Sequence, residues 1–175
     1  AVQSIISTFS EIYAIGRESL EVSYLSGDAN NPFATTKTAA QPFGTPAAYS
    51  VASDGQSIYY MAVIGGARRL VRLMGGREAQ ILSFAVDVPI DDIADISGSR
   101  AWIQSWKGQS FYVISFPAAD IVINDMRHSS ITFAFNIRQQ EWYIWGVWNA
   151  PQGQYDRYPA DTFLYIEPWG KRFVG

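Results

Sequence analysis

The sequence has no cysteine and only one histidine, His128. Disulfides, thiolate metal sites and cysteine nucleophiles are therefore excluded, and a catalytic zinc site has too few candidate ligands. Charged residues make up only 17% of the chain, and no apolar run reaches the roughly 18 residues of a transmembrane helix. We therefore expect no metal, no cofactor and no membrane segment.

Apolar and aromatic residues, in contrast, are abundant. Of 175 residues, 48% are hydrophobic, which is enough apolar surface to offset chain entropy and to exclude a disordered chain. The six Trp, ten Tyr and ten Phe favour pleated sheets, and the 14 Gly and 8 Pro supply turns between strands. This composition predicts an all-β fold.

The net charge is −3 and the sequence pI is about 5.1, whereas proteins that neutralise many phosphates usually carry a basic surface. The basic residues cluster only at Arg68, Arg69, Arg72 and Arg77. Two interpretations stay open: a charged strand that resists aggregation, or a phosphate-binding patch. We predict no sequence-specific nucleic-acid binding.

A short apolar–Tyr signature recurs along the chain. Its tyrosines, Tyr13, Tyr59, Tyr112 and Tyr165, are 46, 53 and 53 residues apart. A repeat near 50 residues is typical of the four-stranded blade of a β-propeller. We predict a single all-β domain, 1–175, of antiparallel propeller-like repeats with roughly three blades, which forms a segment of a larger propeller. The predicted units are about 9–50, 51–97, 98–150 and a partial unit at 158–175.

Local patterns refine these repeats. Residues 20–24 alternate between apolar and polar side chains, which indicates a half-buried strand. Gly65-Gly66 and Gly75-Gly76 bracket a strand-like run and predict hairpin turns. The only helical signal is a short turn at 90–97, because Pro89 limits any longer helix.

Candidate catalytic residues are few. His128 lies in a polar connection, which we interpret as an exposed loop, and no Gly-x-Ser-x-Gly motif accompanies it. The densest acidic cluster fits a solvated turn better than an ion site, and the remaining carboxylates are not brought together by the sequence. We therefore predict that the chain is not an enzyme. These carboxylates are Asp87, Asp91, Asp92 and Asp95 in the cluster, and Glu18, Glu21, Asp120, Asp125 and Glu141 elsewhere.

Three tryptophans, Trp142, Trp145 and Trp148, fall in one strand-like run. Strand alternation places Trp142 and Trp148 on one face and Trp145, with Tyr143, on the other. Core packing and an exposed contact patch both stay open. We name the three tryptophans as candidate subunit-contact aromatics, and no ligand-binding residue is assigned.

Four motifs, in order, resemble the packaged-DNA stabilisation or tail accessory (tail hub) proteins of short-tailed phages. Residues 12–24 resemble the family's strand, Gly-Glu-Arg turn and Thr/Ser-x-Glu-Val-Trp/Tyr hairpin, and 27–33 its Gly-x…Pro-Phe. Residues 46–52 resemble its Ala-Pro-Tyr-Ser-Val-Ala, and 108–117 its Gly-His-Ser-Phe-Tyr-Val-Leu-Ser-Phe-Pro. The motifs here read IYAIGRESLEVSY, GDANNPF, PAAYSVA and GQSFYVISFP.

The resemblance implies a structural virion protein of the phage tail or neck, assembled in the bacterial cytoplasm. It would help to seal packaged DNA as a ring of copies, and its partners would be the portal or adaptor and the tail needle or tail tip. No catalytic residue carries over, because the family is structural. The alternative that we retain is a carbohydrate-binding propeller module acting in host attachment.

Overall fold

The computed structural model describes residues 1–9, 11–35, 41–74, 79–166 and 171–175. Within these ranges the chain forms antiparallel sheets with one short α-helix, which agrees with the predicted all-β repeats. It divides into two compact units, Ala1–Phe84 and Ala85–Gly175. The grouping of all repeats into one domain stays a prediction.

The unit Ala1–Phe84 contains two four-stranded sheets, and in each sheet neighbouring strands are also neighbours in the chain. The first sheet consists of β1 (Val2–Ser7), β2 (Glu11–Gly16), β3 (Leu20–Leu25) and β4 (Phe33–Thr35). After a 3-10 turn at Ala48–Ser50, the second sheet consists of β5 (Ala52–Ser53), β6 (Ser57–Ile64), β7 (Ala67–Met74) and β8 (Gln80–Ile81). This up-and-down order is that of propeller blades.

One hydrophobic cluster joins the two sheets. Leu20 and Val22 of β3 are buried in it while Glu21 between them is exposed, which confirms the predicted alternation. Tyr24, at the end of the same strand, is 44% exposed and lies outside the cluster. The fully buried members are Tyr13, Ile15, Leu20 and Val22 from the first sheet and Ile58, Tyr60, Ala62, Val71 and Leu73 from the second.

Serine hydroxyls extend the hydrogen bonding of the second sheet beyond its short outer strands. The register of β5 on β6 would place Ser50 opposite Met61, and there the Ser50 hydroxyl accepts the Met61 N–H at 3.1 Å. On the other side, the Ser83 hydroxyl accepts the Leu70 N–H at 3.0 Å. Both serines are fully buried, so these bonds satisfy backbone groups that water does not reach.

A close backbone approach fixes the segment before the 3-10 turn. A Cβ atom at Gly44 would lie 2.1 Å from the carbonyl carbon of Arg17 in the β2–β3 turn. Next to it, the Thr45 N–H donates to the Gly16 carbonyl at 2.9 Å. Only glycine fits at this position without movement of the backbone.

The unit Ala85–Gly175 begins with the helix α1 and is dominated by a third sheet, in which the strand order is β9-β10-β13-β14-β15. Two separate hairpins accompany it, β11–β12 and β16–β17. The elements are α1 (Asp87–Asp92), β9 (Arg100–Trp106), β10 (Gln109–Phe116), β11 (Ile121–Ile123), β12 (Met126–His128), β13 (Ile131–Asn136), β14 (Glu141–Asn149), β15 (Gln154–Arg157), β16 (Phe163–Ile166) and β17 (Lys171–Val174).

The cluster on one face of the third sheet is largely aromatic. Trp102, Phe111, Val113 and Ala134 of the sheet are buried together with Ala160, which precedes β16. Partly buried side chains complete the cluster: Trp145, Tyr158 and Phe163. The hairpin β16–β17, which contains the fourth repeat signature, therefore begins against the third sheet.

The helix differs from its prediction. We expected a turn at 90–97, but α1 spans Asp87–Asp92 and Ile93 is already extended. Pro89 is tolerated because it occupies the first turn, where its missing N–H has no helical partner to lose. None of the helices in the described part of the chain has the length and apolarity needed to cross a bilayer.

Tight turns connect several strand pairs. Gly65 and Gly66 have φ values of 60° and 84° between paired β6 and β7, which confirms the predicted hairpin. Asn124 and Asp125, with φ values of 51° and 61°, form the corresponding turn between β11 and β12. The second predicted turn, Gly75-Gly76, lies outside the described residues.

The described tyrosines of the repeat signature lie on strands, but the face of the sheet to which they point differs between repeats. Tyr13, Tyr59 and Tyr112 are fully buried on β2, β6 and β10. Tyr13 faces the sheet that follows it, whereas on β10 it is Phe111, not Tyr112, that packs with the following Phe163. Tyr112 therefore lies on the opposite face, because a one-residue shift reverses side-chain direction in a strand.

Candidate functional site

Strand β14, which contains all three candidate tryptophans, changes its hydrogen-bonding partner along its length. Residues 141–145 pair with β13 and residues 146–149 pair with β15. The change occurs at Gly146, where a Cβ atom would lie 2.6 Å from the Asp156 carbonyl oxygen. The end of β14 and β15 thus form a hairpin that extends beyond the β13 pairing.

The three tryptophans have different environments. Trp142 packs on Phe135 with a centroid distance of 5.0 Å, whereas Trp145 packs on Phe111 of the opposite face at 5.1 Å. Trp148 lies on the hairpin, 51% exposed, in an edge contact with Tyr155 at 5.0 Å. Trp142 and Trp145 therefore contribute to packing, and Trp148 has the most surface free for a partner. A subunit-contact role for the three stays a prediction.

Other exposed apolar side chains lie on the same two hairpins as Trp148, with Ile144 and Tyr155 on its face of the strand pair and Val147 on the opposite face. Large apolar groups at the surface of neighbouring hairpins are typical of contact sites, since water solvates them poorly. We call this set the hairpin surface; its members are Val122 (66% exposed), Ile144 (46%), Val147 (51%), Trp148 (51%) and Tyr155 (42%).

The placement of His128 corrects the prediction of an exposed loop. His128 lies in β12, pairs with Ile121 of β11 and is only 6% exposed. The polar segment forms a strand pair because Asn124 and Asp125 adopt the left-handed conformations that a two-residue turn requires. Burial lowers the pKa of His128 below its ordinary value of 6.5, so the ring is neutral at pH 7.

His128 lines a cleft of about 340 Å³. The hairpins β11–β12 and β14–β15 form its walls, with Ile131 of β13 between them. Trp145 and Tyr155 also line it, so the cleft adjoins both the packed and the exposed aromatic residues of this region. Sequence reasoning missed the cleft, because it depends on two hairpins that are distant in the chain.

The basic cluster does not form a single patch. The β6–β7 register places Arg68 and Arg72 on one face and Arg69 on the other. Arg72 donates to the Ser57 hydroxyl at 3.0 Å and lies 5.9 Å from the ring centre of Tyr59. The fourth member, Arg77, lies outside the described residues. This arrangement favours the interpretation of a charged strand.

Tyr59 is part of the same network. Its hydroxyl donates to the Asp54 carboxylate at 2.9 Å. Burial, reinforced by the Asp54 charge, raises the pKa of Tyr59 above its usual range. The phenol therefore remains a hydrogen-bond donor at all physiological pH values.

The acidic candidates do not converge on a site. Among the described residues no group of three or more His, Asp or Glu side chains is placed to hold a metal ion. Asp120 pairs with Arg127 at 2.7 Å, and Glu141 accepts the Tyr143 hydroxyl at 2.8 Å. These contacts are those of surface carboxylates.

Arg157 is a structural residue that the sequence analysis missed. Its Nη1 lies 2.7 Å from Asp161, and it also donates to the carbonyls of Tyr158 and Ala160 at 3.3 and 3.4 Å. These bonds hold the connection from β15 to β16. The opposite charges at positions 157 and 161, on either side of Pro159, were the available sequence signal.

No curated protein matches the chain with significance. A family model described as "Bacteriophage P22 Gp10, beta-propeller" matches residues 1–156. The match includes the first two sheets and the third sheet almost to its end. The chain therefore belongs to this Phage_stabilise family of β-propeller phage structural proteins.

Proposed function

We propose that the chain acts in the tail or neck of the phage particle, where it helps to seal packaged DNA and connects the portal and adaptor to the distal tail. The family match over residues 1–156 carries this proposal. A connecting protein needs surfaces for lateral and axial contacts rather than a reactive centre. The hairpin surface, with four of its five members on β14 and β15, supplies exposed apolar side chains for such contacts.

The particle-level test removes the chain from the phage that encodes it. Particles assembled without the chain are expected to lose packaged DNA or to lack distal tail parts, as seen by electron microscopy and nuclease sensitivity. Supplying the wild-type chain restores both. DNA-filled particles with complete tails in its absence would refute the proposal.

The contact surface has a matched control within the chain. Trp148 and Trp106 are 51% and 50% exposed, but Trp106, on β9, lies under the Lys107 ammonium at 4.7 Å rather than on the hairpin surface. Trp148→Ser is expected to weaken association of the chain with itself or with tail proteins, and Trp106→Ser to leave it intact. Analytical ultracentrifugation measures both variants, and equal effects would contradict the assignment.

The carbohydrate-binding alternative needs polar groups beside exposed aromatic rings. On the β14–β15 hairpin, Trp148 pairs with Tyr155, while Val147 pairs with Asp156. Adjacent pairs in a strand project to opposite faces, so the Asp156 carboxylate does not share the face of Trp148. For this reason we do not adopt that alternative.

A further inference from the structure

Asp54 and Gly55 are the only Asp–Gly pair in the sequence, which contains no Asn–Gly pair. In such a pair the glycine nitrogen can attack the side-chain carboxyl carbon, because glycine has no Cβ to hinder the approach. The new N–Cγ bond closes a five-membered succinimide, and one carboxylate oxygen leaves as water with the amide proton and one proton from solvent. Water then opens the ring at either carbonyl, which gives aspartate again or isoaspartate.

The Asp54 carboxylate is fixed by three hydrogen bonds in the turn between β5 and β6. Its Oδ1 accepts the N–H groups of Gln56 at 2.9 Å and Ser57 at 2.7 Å. Its Oδ2 accepts the Tyr59 hydroxyl at 2.9 Å. Hydrogen bonds to a carboxylate are stronger than those between neutral groups. Rotation of the carboxyl group toward the Gly55 nitrogen must break them.

The Gly55 backbone is fixed as well. Its N–H donates to the Ser53 hydroxyl at 3.0 Å, and its carbonyl accepts the Phe9 N–H at 2.9 Å. The Phe9 ring lies against the Gly55 Cα, since a Cβ atom there would be 2.7 Å from the ring Cζ. Both reacting groups of the Asp–Gly pair are therefore held by contacts that ring closure would disturb.

We infer that Asp54–Gly55 is a latent isomerisation site and that the Tyr59 hydroxyl restrains its conversion to isoaspartate. Of the three donors to the carboxylate, Tyr59 is the side chain and the other two are backbone groups. Burial raises the pKa of Tyr59 above its usual range, so the phenol keeps its proton and does not supply it to the departing oxygen. Phe9, which is 83% exposed, adds a second restraint from the surface.

Isomerisation would separate two turns of the unit Ala1–Phe84. Isoaspartate adds one carbon atom to the main chain between β5 and β6, which displaces the Gly55 carbonyl from the Phe9 N–H. The β1–β2 turn and the β5–β6 turn then lose the hydrogen bond that joins them. This inference rests on contacts within the unit and is independent of the proposed function.

The test compares two variants of neighbouring tyrosines in the full chain. After incubation at neutral pH, isoaspartate at position 54 is measured by isoaspartate-specific methyl transfer and located by fragmentation mass spectrometry. Tyr59→Phe is expected to isomerise about 3- to 10-fold faster than wild type, because one hydrogen bond to the carboxylate is lost. Tyr60→Phe is the matched control, since Tyr60 is also fully buried on β6 but its hydroxyl donates to the Phe43 carbonyl at 3.4 Å.

The control is expected to keep the wild-type rate. Equal acceleration in both tyrosine variants would show that general loosening of the unit is the cause, and it would overturn the inference. A rate in Tyr59→Phe that equals or falls below that of wild type would overturn it as well.

A surface variant provides a test that does not alter the core. Phe9→Ala is expected to raise the rate about 2-fold or more, whereas Phe33→Ala, at a 48% exposed position on β4, is expected to leave it unchanged. The chain unfolded in urea supplies the unrestrained rate, which is expected to exceed that of the folded chain by at least about 10-fold. Isomerisation of folded wild type at the unfolded rate would refute any restraint by the turn.

Discussion

All six tryptophans lie in Ala85–Gly175, whereas the ten tyrosines are divided five and five between the two units. In Ala1–Phe84, nine fully buried residues, aliphatic except for two tyrosines, form the cluster between two sheets. In Ala85–Gly175, five buried residues are completed by the partly buried Trp145, Tyr158 and Phe163. The two units therefore consist of antiparallel sheets whose hydrophobic clusters are built from different side-chain types.

This difference changes how much of each cluster remains accessible to solvent. Aliphatic side chains and tyrosines that are fully enclosed contribute burial but leave nothing for a partner. Large aromatic residues at the edge of a sheet pack with one face and remain accessible with the other. The hairpin surface and the cleft lined by His128 both lie in the unit with the tryptophans.

The largest expected effect tests the aromatic cluster. Phe111→Ala removes a ring that contacts Trp145 at 5.1 Å and Tyr143 at 6.4 Å, and it is expected to cost about 3–5 kcal/mol of unfolding free energy. Tryptophan fluorescence during urea unfolding measures it and reports only on Ala85–Gly175. Val122→Ala, at a 66% exposed position, is the control and is expected to cost less than about 0.5 kcal/mol. A loss below about 1 kcal/mol in Phe111→Ala would contradict the aromatic core.

The next prediction addresses the other unit. Gly44→Ala forces the Arg17 backbone to move and is expected to cost about 1–3 kcal/mol or more. Gly65→Ala is the control, because nothing lies within 4 Å of its Cβ and only the positive φ is strained. Hydrogen exchange is expected to rise in peptides around the β2–β3 turn in Gly44→Ala alone. Equal hydrogen exchange at the β2–β3 turn in both variants would show that the close approach of Gly44 to the Arg17 backbone does not stabilise this turn.

A smaller effect is expected at Arg157. Arg157→Gln removes the ion pair with Asp161 and loosens the connection to β16, at a cost of about 1–3 kcal/mol. Arg127→Gln is the control, since its ion pair with Asp120 is 72% and 67% exposed and is expected to contribute under about 1 kcal/mol. Equal losses of stability in thermal unfolding would mean that the hydrogen bonds from Arg157 to the Tyr158 and Ala160 carbonyls add no measurable stability.

The smallest effect is a pH dependence from His128. Its folded pKa is lowered by burial, so the unfolded chain binds the proton more readily. The stabilisation is therefore present above the ordinary value of 6.5 and is lost as the pH falls below it. Between pH 7 and pH 5, wild type is expected to lose more stability than His128→Gln, which retains Asp156 and every other titratable group of the chain. Parallel urea midpoints would contradict this.

The sequence predicted the features that depend on local periodicity. Alternation at Leu20 and Val22, the Gly65-Gly66 turn and the repeated tyrosines all follow from neighbours in the chain, and they indicated the sheets, whereas the family was indicated by the resemblance of four motifs. The face of Tyr112 did not follow, because a one-residue register shift leaves the spacing almost unchanged.

The candidate site was less accessible to prediction. The three tryptophans were visible in the sequence, but the division between packed Trp142 and Trp145 and exposed Trp148 depends on where β14 changes partner. The burial of His128 depends on contact between hairpins about 20 residues apart. Polar composition alone suggested a loop there.

The hydroxyl of Ser50 links side-chain identity to strand length. Because this hydroxyl accepts the Met61 N–H in place of a backbone carbonyl of the neighbouring strand, β5 can end after two residues. A relative with alanine at this position needs a longer outer strand that pairs with the residue equivalent to Met61. Without it, the N–H of that residue is buried with no acceptor. Length variation of β5 and the loss of this hydroxyl should therefore covary among related chains, which gives sequence comparison a physical rule for aligning this blade.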